Sequence, residues 1–390
     1  MSYIDFEHPY GNHIRPYFLS RYLSEFGCNV SAICIRKGEK FDRLQFYERK
    51  WLNARPPFKY EYGLLDFDHL VRHLRPDVIY VHDTSFASLT LLLRKLSKLR
   101  LFKNRPIVAD FHGSARLEAS YNLPHSMRRH LLVTASTMIE KVAASNANLV
   151  ITASDVLRSF VIYSYKVPPN KVFTVPNGVS TEHFFPLTKT RNEELRNNLG
   201  LSDRSVIVLT APRMSAKPSD WSVKAIRIMY EVMSHLSSLK KDAILLIVGG
   251  GPRVSGSPPN VLYTGFVKNL NALLNIADLA VAPYPEELVC GGPRNKVLEY
   301  FACKVPVVST KSGMYGIPEA KPYKYYVPTT FDHREIAERI LATLSMDDES
   351  QQNMVNNAFH LIMTRYNWKK SAQLLQRKLV SMLEGGHSDY

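Results

Sequence analysis

Residues 279–310 read LAVAPYPEELVCGGPRNKVLEYFACKVPVVST. LAVAPY (279–284) and VPVVST (305–310) are short apolar runs without polar alternation, the pattern of strands buried on both faces of a parallel sheet. Between them lie a glycine-containing loop and a helix. Gly291 and Gly292 let a ligand approach the backbone, Pro293 follows, Asn295 and Lys296 sit at the helix start, and Glu299 lies one turn deeper.

Outward from this unit the pattern repeats. VSAICI (30–35), VIYVH (78–82), IVADFH (107–112), LVITAS (149–154) and VFTVP (172–176) form one set of predicted strands. VIVLTA (206–211), ILLIVGG (244–250) and LYTGFV (262–267) join the opening pair as a second set. Helical patterns lie between. In IRPYFLSRYLSEFG the apolar residues Ile14, Phe18, Tyr22 and Phe26 fall four apart, and Gly27 is a stop. LNALLNIAD places Leu270, Leu273, Leu274 and Ala277 on one stripe. Strand–helix alternation twice over predicts an α/β protein of two doubly wound, Rossmann-like domains. PNGVSTEHFFPLTKT (176–190) interrupts the periodicity and marks the break. The expected first domain is 1–180, joined by a last helix at about 368–384 that packs back on it; the second is 181–367. Ligands of such sheets sit outside the carboxyl ends of the strands, in a cleft where the two domains face each other.

Composition agrees. The chain has 390 residues, 45% hydrophobic and 22% charged, which excludes disorder, collagen and coiled coil and suits two domains with their own cores. Cys28, Cys34, Cys290 and Cys303 form no C-x-x-C pair, so reduced thiols are expected rather than a disulfide or zinc scaffold. No apolar run approaches the roughly 20 residues of a spanning helix, and MSYIDFEHPYGNH lacks the features of a signal peptide. A soluble cytoplasmic protein is the expectation. The net charge of +15 and the run Arg94, Lys95, Lys98, Arg100, Lys103, Arg105 attract polyanions. No nucleic-acid motif accompanies them, so an anionic membrane face or phosphorylated substrates are the expected partners.

Arg213 and Lys217 lie four apart in the loop after VIVLT, before a helix. Free N–H groups and the helix dipole there favour an anion, and a guanidinium fork with an ammonium suits a diphosphate. Gly249, Gly250 and Gly251 end another strand, as a turn or a close approach to ligand. A carboxylate such as Glu299 can accept two hydrogen bonds from paired ribose hydroxyls. Taken singly each feature is ordinary; their order along the chain is not.

In that order the chain resembles the retaining GT-B glycosyltransferases of family four. The stretches that carry the resemblance are NANLVITAS, KVFTVPNGVSTEHFFP, APRMSAK, LLIVGGGP, VLYTGFV, LLNIADLAVAPY and PRNKVLEYFACKVPVVST, from about residue 140 to 320, with PYGNH, RPDVIYVHD and IVADFHGS as looser matches before them. The resemblance implies that Arg213 and Lys217 hold the donor diphosphate. It implies that Glu299 holds the ribose, and that Gly265, Phe266 and Val267 line the base. It further places His112 against the donor sugar and Gly11 and Asn12 in the loop approaching the diphosphate and acceptor. Departures are visible: Gly291 stands where members often carry a second glutamate, Pro212 replaces a glycine, and the first-loop glycines are reduced to Gly11–Asn12.

The implied reaction moves a hexosyl group from a nucleoside diphosphate sugar to a glycan, lipid-linked or other hydroxyl acceptor with retention of configuration. No D-x-D motif is present, so no tightly bound metal and no cofactor beyond the sugar nucleotide is expected. Cleft closure about residues 176–178 and Tyr366, Asn367 and Trp368 would exclude water. Two competing readings remain at this stage: a nucleotide-sugar epimerase of the same architecture, and a catalytically silent nucleotide- or sugar-binding protein.

Overall fold

The computed structural model describes residues 13–34, 44–48, 73–82, 105–123, 125–201, 204–210, 221–239, 242–249, 253–285 and 291–385. In the first half, β1 (Val30–Cys34) pairs in parallel with β2 (Leu44–Glu48). A second parallel sheet has the order β3 (Ile79–Val81), β4 (Ile107–Phe111), β5 (Leu149–Thr152), β6 (Val172–Thr174). The other half contains β7 (Ser205–Thr210), β8 (Ala243–Val248), β9 (Val261–Gly265), β10 (Leu279–Ala282), β11 (Val307–Thr310) and β12 (Val327–Thr329). They run parallel in the order β12-β11-β10-β7-β8-β9. This is the doubly wound dinucleotide-binding order, and the winding reverses between β7 and β10.

All ten predicted strands are present, most trimmed by a residue or two. The sequence reading missed β2 and β12. LQFYE in β2 lacks a continuous apolar run, and β12 is a three-residue edge strand, VPT, carrying a proline. Proline is tolerated there because an edge leaves one side of the ladder open.

The helices explain how the halves are built. In β7, Val206 and Val208 face one side of the sheet while Ile207 and Leu209 face the other, and all four are buried. The first pair packs with Val297, Leu298 and Phe301 of α8 (Asn295–Ala302) and with Leu361 and Ile362 of α10 (Asp348–Thr364). The second packs with Ile226, Met229 and Met233 of α6 (Trp221–Ser238) and Ile336 and Ile340 of α9 (His333–Leu344).

The first half closes differently. α1 (Ile14–Glu25) ends at a turn in which Gly27 adopts φ 93°, as its sequence position predicts. The last helix, α11 (Trp368–Leu383), lies against α1. Trp368 stacks on Phe18 with ring centroids 5.7 Å apart, and with Ala372 and Leu375 it joins Leu19, Tyr22, Val108 and Ile151 in one buried cluster. The chain thus passes between the halves twice, and the two passages are bonded to each other. Val179 N–H donates to Tyr366 O at 3.0 Å and Trp368 N–H to Val179 O at 3.3 Å. Gly178 makes this possible, because a Cβ there would lie 2.5 Å from the backbone of Asn367 and Trp368. Gly178→Ala is expected to force the passages apart at about 1–3 kcal/mol, the cost of overpacking. A thermal midpoint unchanged from wild type in calorimetry would contradict this account of the crossing.

Candidate active site between the two halves

β4 is an apolar strand interrupted by one charge. Asp110 is buried one residue before its end, in the sequence IVADF. Its carboxylate is gripped bidentately by Arg15 of α1, Nε to Oδ2 at 2.9 Å and Nη2 to Oδ1 at 3.0 Å. Nδ1 of His82, just beyond β3, lies 3.1 Å from Oδ2. Nε2 of His112 stands 3.4 Å from the same oxygen, within ion-pair range but not aligned as a hydrogen bond. Burial alone would raise the Asp110 carboxyl; Arg15 first, and the two imidazoles after it, override burial and hold it well below the usual carboxylate range. Burial likewise pushes His82 down to about 3 against the pull of Asp110, so the ring is neutral and its Nδ1 carries the hydrogen toward the carboxylate.

His82, Asp110 and His112 offer ligand atoms close enough to bracket a cation. The donor set argues for another role, since the Arg15 guanidinium already occupies both Asp110 oxygens and would face any dication. Arg15 also reaches forward, donating from Nη1 to Val175 O at 2.8 Å and to Asn177 Oδ1 at 3.1 Å. Asn177 Nδ2 in turn lies 3.4 Å from Pro293 O of the second half.

The end of β4 meets the glycine loop before α8. A Cβ on Gly291, which has φ 91°, would lie 3.0 Å from His112 O; one on Gly292 would lie 2.7 Å from Ala153. Ser154 Oγ caps α4 (Asp155–Tyr165) by accepting from Leu157 N–H and donates to Gly291 O at 2.9 Å. The paired glycines were expected to admit ligand; the contacts show that they admit the other half of the protein. A Cβ on Gly316 would likewise strike Pro293 N at 2.5 Å.

The start of α8 has no side-chain cap. Ser154, Asp332 and Asn367 cap their helices by side-chain hydrogen bonds, whereas Arg294 gives α8 none. Asn295 Oδ1 is buried there without a hydrogen-bond partner. Lys296 Nζ lies 4.6 Å over the Trp221 ring, which stacks on Tyr284 at 4.6 Å. Glu299 is half-buried, and burial raises its carboxyl to about 7, opposed by Lys296. Tyr300, next to it, accepts Thr210 N–H at 2.9 Å, fixing the end of β7. Thr310 of β11 pins the strand end at Tyr284, accepting its N–H at 3.1 Å and donating to its O at 2.7 Å.

The structure thus brings His112, Gly291, Gly292 and Pro293 together, with Asn295, Lys296 and Glu299 on the helix that follows. Gly265 (φ 67°) ends β9 and its O accepts Gly249 N–H at 3.0 Å. Phe266 is 80% exposed, while Val267 turns inward onto the core. Gly11, Asn12, Arg213 and Lys217 lie outside the described residues, as do Gly250 and Gly251 and the run from Arg94 to Lys103. Of the cysteines, Cys28 and Cys303 are free thiols. The sequence reading missed Arg15, His82, Asp110 and Asn177. A charge inside a fully buried strand was the available signal for Asp110, and an arginine between the apolar positions Ile14 and Phe18 of α1 the signal for Arg15.

Two Rossmann-like halves, each built on a parallel sheet and meeting where β4 and β10 end, are the arrangement of the GT-B glycosyltransferases. A sequence model described as Glycosyltransferase Family 4 matches residues 16–183, and one described as Glycosyl transferases group 1 matches residues 206–346. Together they take in most of the chain, which belongs to this glycosyltransferase family. It is 24% identical over 276 residues to the alpha-D-kanosaminyltransferase of Streptomyces kanamyceticus, covering 67% of each chain. Among solved structures it is similar to Anabaena HepE in complex with UDP, at TM-score 0.71 and 16% identity over 96% of this chain and 97% of that one. It is also similar to the sucrose-phosphate synthase of Thermosynechococcus elongatus, at TM-score 0.73 and 16% identity over 97% and 94%.

Removing Arg15 would strand a buried carboxylate. Arg15→Met is expected to cost about 3–5 kcal/mol at neutral pH, the scale for breaking a buried pair. The Asp110 contribution is present above the ordinary carboxylate pKa and lost as pH falls below it, so the gap to wild type should narrow below about pH 4. His82 acts in a higher window. Its folded pKa is depressed, so as pH falls below about 6.5 the unfolded chain gains a proton that the native ring refuses. His82→Asn should therefore flatten the loss of stability between about pH 6.5 and 4. Denaturant titrations across this range would expose either assignment as wrong if the variants tracked wild type in parallel.

Proposed function

We propose that the protein transfers a hexosyl group from a nucleoside diphosphate sugar to a hydroxyl of a glycan or lipid-linked acceptor, with retention of configuration. The observation that carries this reading is the junction of His112 with Gly291 and Gly292, which sets a first-half strand end against the uncapped start of the helix bearing Glu299. Complexes of HepE with UDP and with UDP-glucose support a nucleotide-sugar donor.

On this reading the diphosphate lies at the start of α8, where the N–H groups of a first helical turn and the positive end of the helix favour an anion. Arg213 and Lys217 complete the cradle and stabilise the charge that develops on the leaving diphosphate, in place of a metal ion. Glu299 accepts the ribose hydroxyls, and Gly265, Phe266 and Val267 border the base. Gly11 and Asn12 approach the diphosphate and acceptor from the first half. His112, held beside Asp110, orients the hexose. The bond from the anomeric carbon to the phosphate oxygen breaks with its electron pair going to that oxygen. The acceptor oxygen bonds to the same carbon on the same face, and its proton passes to the departing phosphate. The acceptor is proposed to be membrane-proximal, met on the cytoplasmic face.

Arg213→Ala or Glu299→Ala should weaken donor binding or turnover by about 1.5–3 kcal/mol, the scale of a charge-assisted hydrogen bond. Wild-type activity in both would discard the donor site. Because Glu299 titrates near 7 and binds ribose as the carboxylate, nucleotide affinity should rise as pH passes from below to above 7. Glu299→Gln should flatten that profile in calorimetric titrations. Magnetic resonance of the anomeric centre in the product would refute retention if the configuration were inverted.

A further inference from the structure

α3 (Met127–Asn146) is built inside out. Its one acid, Glu140, is buried, accepting hydrogen bonds from Ser114 Oγ at 2.9 Å and from the Tyr165 hydroxyl. Ala143 and Ala144 are buried beside it. The opposite face carries Met127, Leu131, Ala135, Met138, Ile139 and Leu132, which fall within an arc of about 140° at 3.6 residues per turn. Met127 is 79%, Leu131 65% and Met138 64% exposed. A contiguous apolar stripe on the outside of a helix marks a surface for another apolar phase.

The charges say which one. Arg128 lies within the stripe, with His130 and Lys141 along one margin and Arg129 along the other, and the helix has no exposed carboxylate. Two copies packed through this face would bring like charges together, because the helix has no acid to answer its arginines. An apolar stripe bordered by long cationic side chains is the arrangement that settles at a lipid–water boundary, with the stems in the acyl region and the charges among the headgroups. We propose that α3 docks the protein on an anionic lipid surface, laying its outer stripe into the headgroup–acyl boundary.

The docking face is tied to the site. The Glu140 that anchors α3 also holds Ser114, two residues beyond His112. The first-half wall of the cleft is thereby fixed relative to the membrane. The surface rests on the transfer reading only for its purpose, delivery of a lipid-linked acceptor; lipid binding is measured without any transfer.

The test is flotation of the full chain with vesicles of phosphatidylglycerol and phosphatidylcholine, against phosphatidylcholine alone. Binding is expected only with the anionic vesicles and should be weakened by salt. Leu131→Glu/Met138→Glu should lower the bound fraction by about tenfold or more, with its thermal shift on UDP unchanged. That shift shows the variant to be folded and reports the donor site separately. Wild type that fails to float at low salt would overturn the proposal. So would a double variant that floats like wild type, which would place the contact elsewhere on the basic surface. A wild-type dimer in light scattering that Leu131→Glu converts to monomer would also overturn it, by assigning the stripe to a second copy.

Discussion

Everything around the cleft hangs from the buried pair of Arg15 and Asp110. Taking two charges out of water costs several kcal/mol each, and only close geometry with every remaining donor satisfied offsets it. Here the guanidinium meets both carboxylate oxygens through Nε and Nη2 and donates both Nη1 hydrogens to Val175 O and Asn177 Oδ1. One charge therefore fixes three pieces of chain that are remote in sequence: the first helix, the central strand that ends in His112, and the passage to the second half. Asn177 hands the connection on to Pro293 O. In physical terms, the asparagine and glycine of PNGV are a link and a clearance. Asn177 joins the pair to the glycine loop, and Gly178 leaves room for the returning chain.

The second half shows how one helix can serve a sheet and a site together. Along α8, Val297, Leu298 and Phe301 bury against β7 and its neighbours, Tyr300 reaches the end of β7, and Glu299 keeps a carboxyl that burial raises to about 7 against the pull of Lys296. Holding an acid in that state costs stability, and the surrounding apolar contacts bear it. Such local expense is expected where a structure is arranged for a ligand rather than for itself.

Much of this was legible in the residues. The parallel strands announced themselves as unbroken apolar runs because helices cover both faces, and PRNKVLEY and VPVVST marked the helix and strand that follow the glycine loop. What sequence could not supply was contact across long separations. Gly291 and Gly292 looked like room for a ligand, and their neighbours turn out to be His112 O and Ala153. Arg15 looked like one more basic residue in a chain with 50 of them, since nothing local tells a buried guanidinium from a solvated one. α3 escaped notice because periodicity reports that a helix has an apolar face, not which way that face is turned.

The return of α11 to the first half has a consequence for biogenesis. Trp368, Ala372 and Leu375 belong to the same cluster as Phe18 and Val108. While the chain emerges from the ribosome, this first sheet lacks the wall that shields it until α11 has also been made. The intervening half is free to fold first, as an insertion whose two ends lie side by side. The amino-terminal sheet would thus stay unshielded while the intervening half is made, and exchanging that half between relatives would require two cuts, not one.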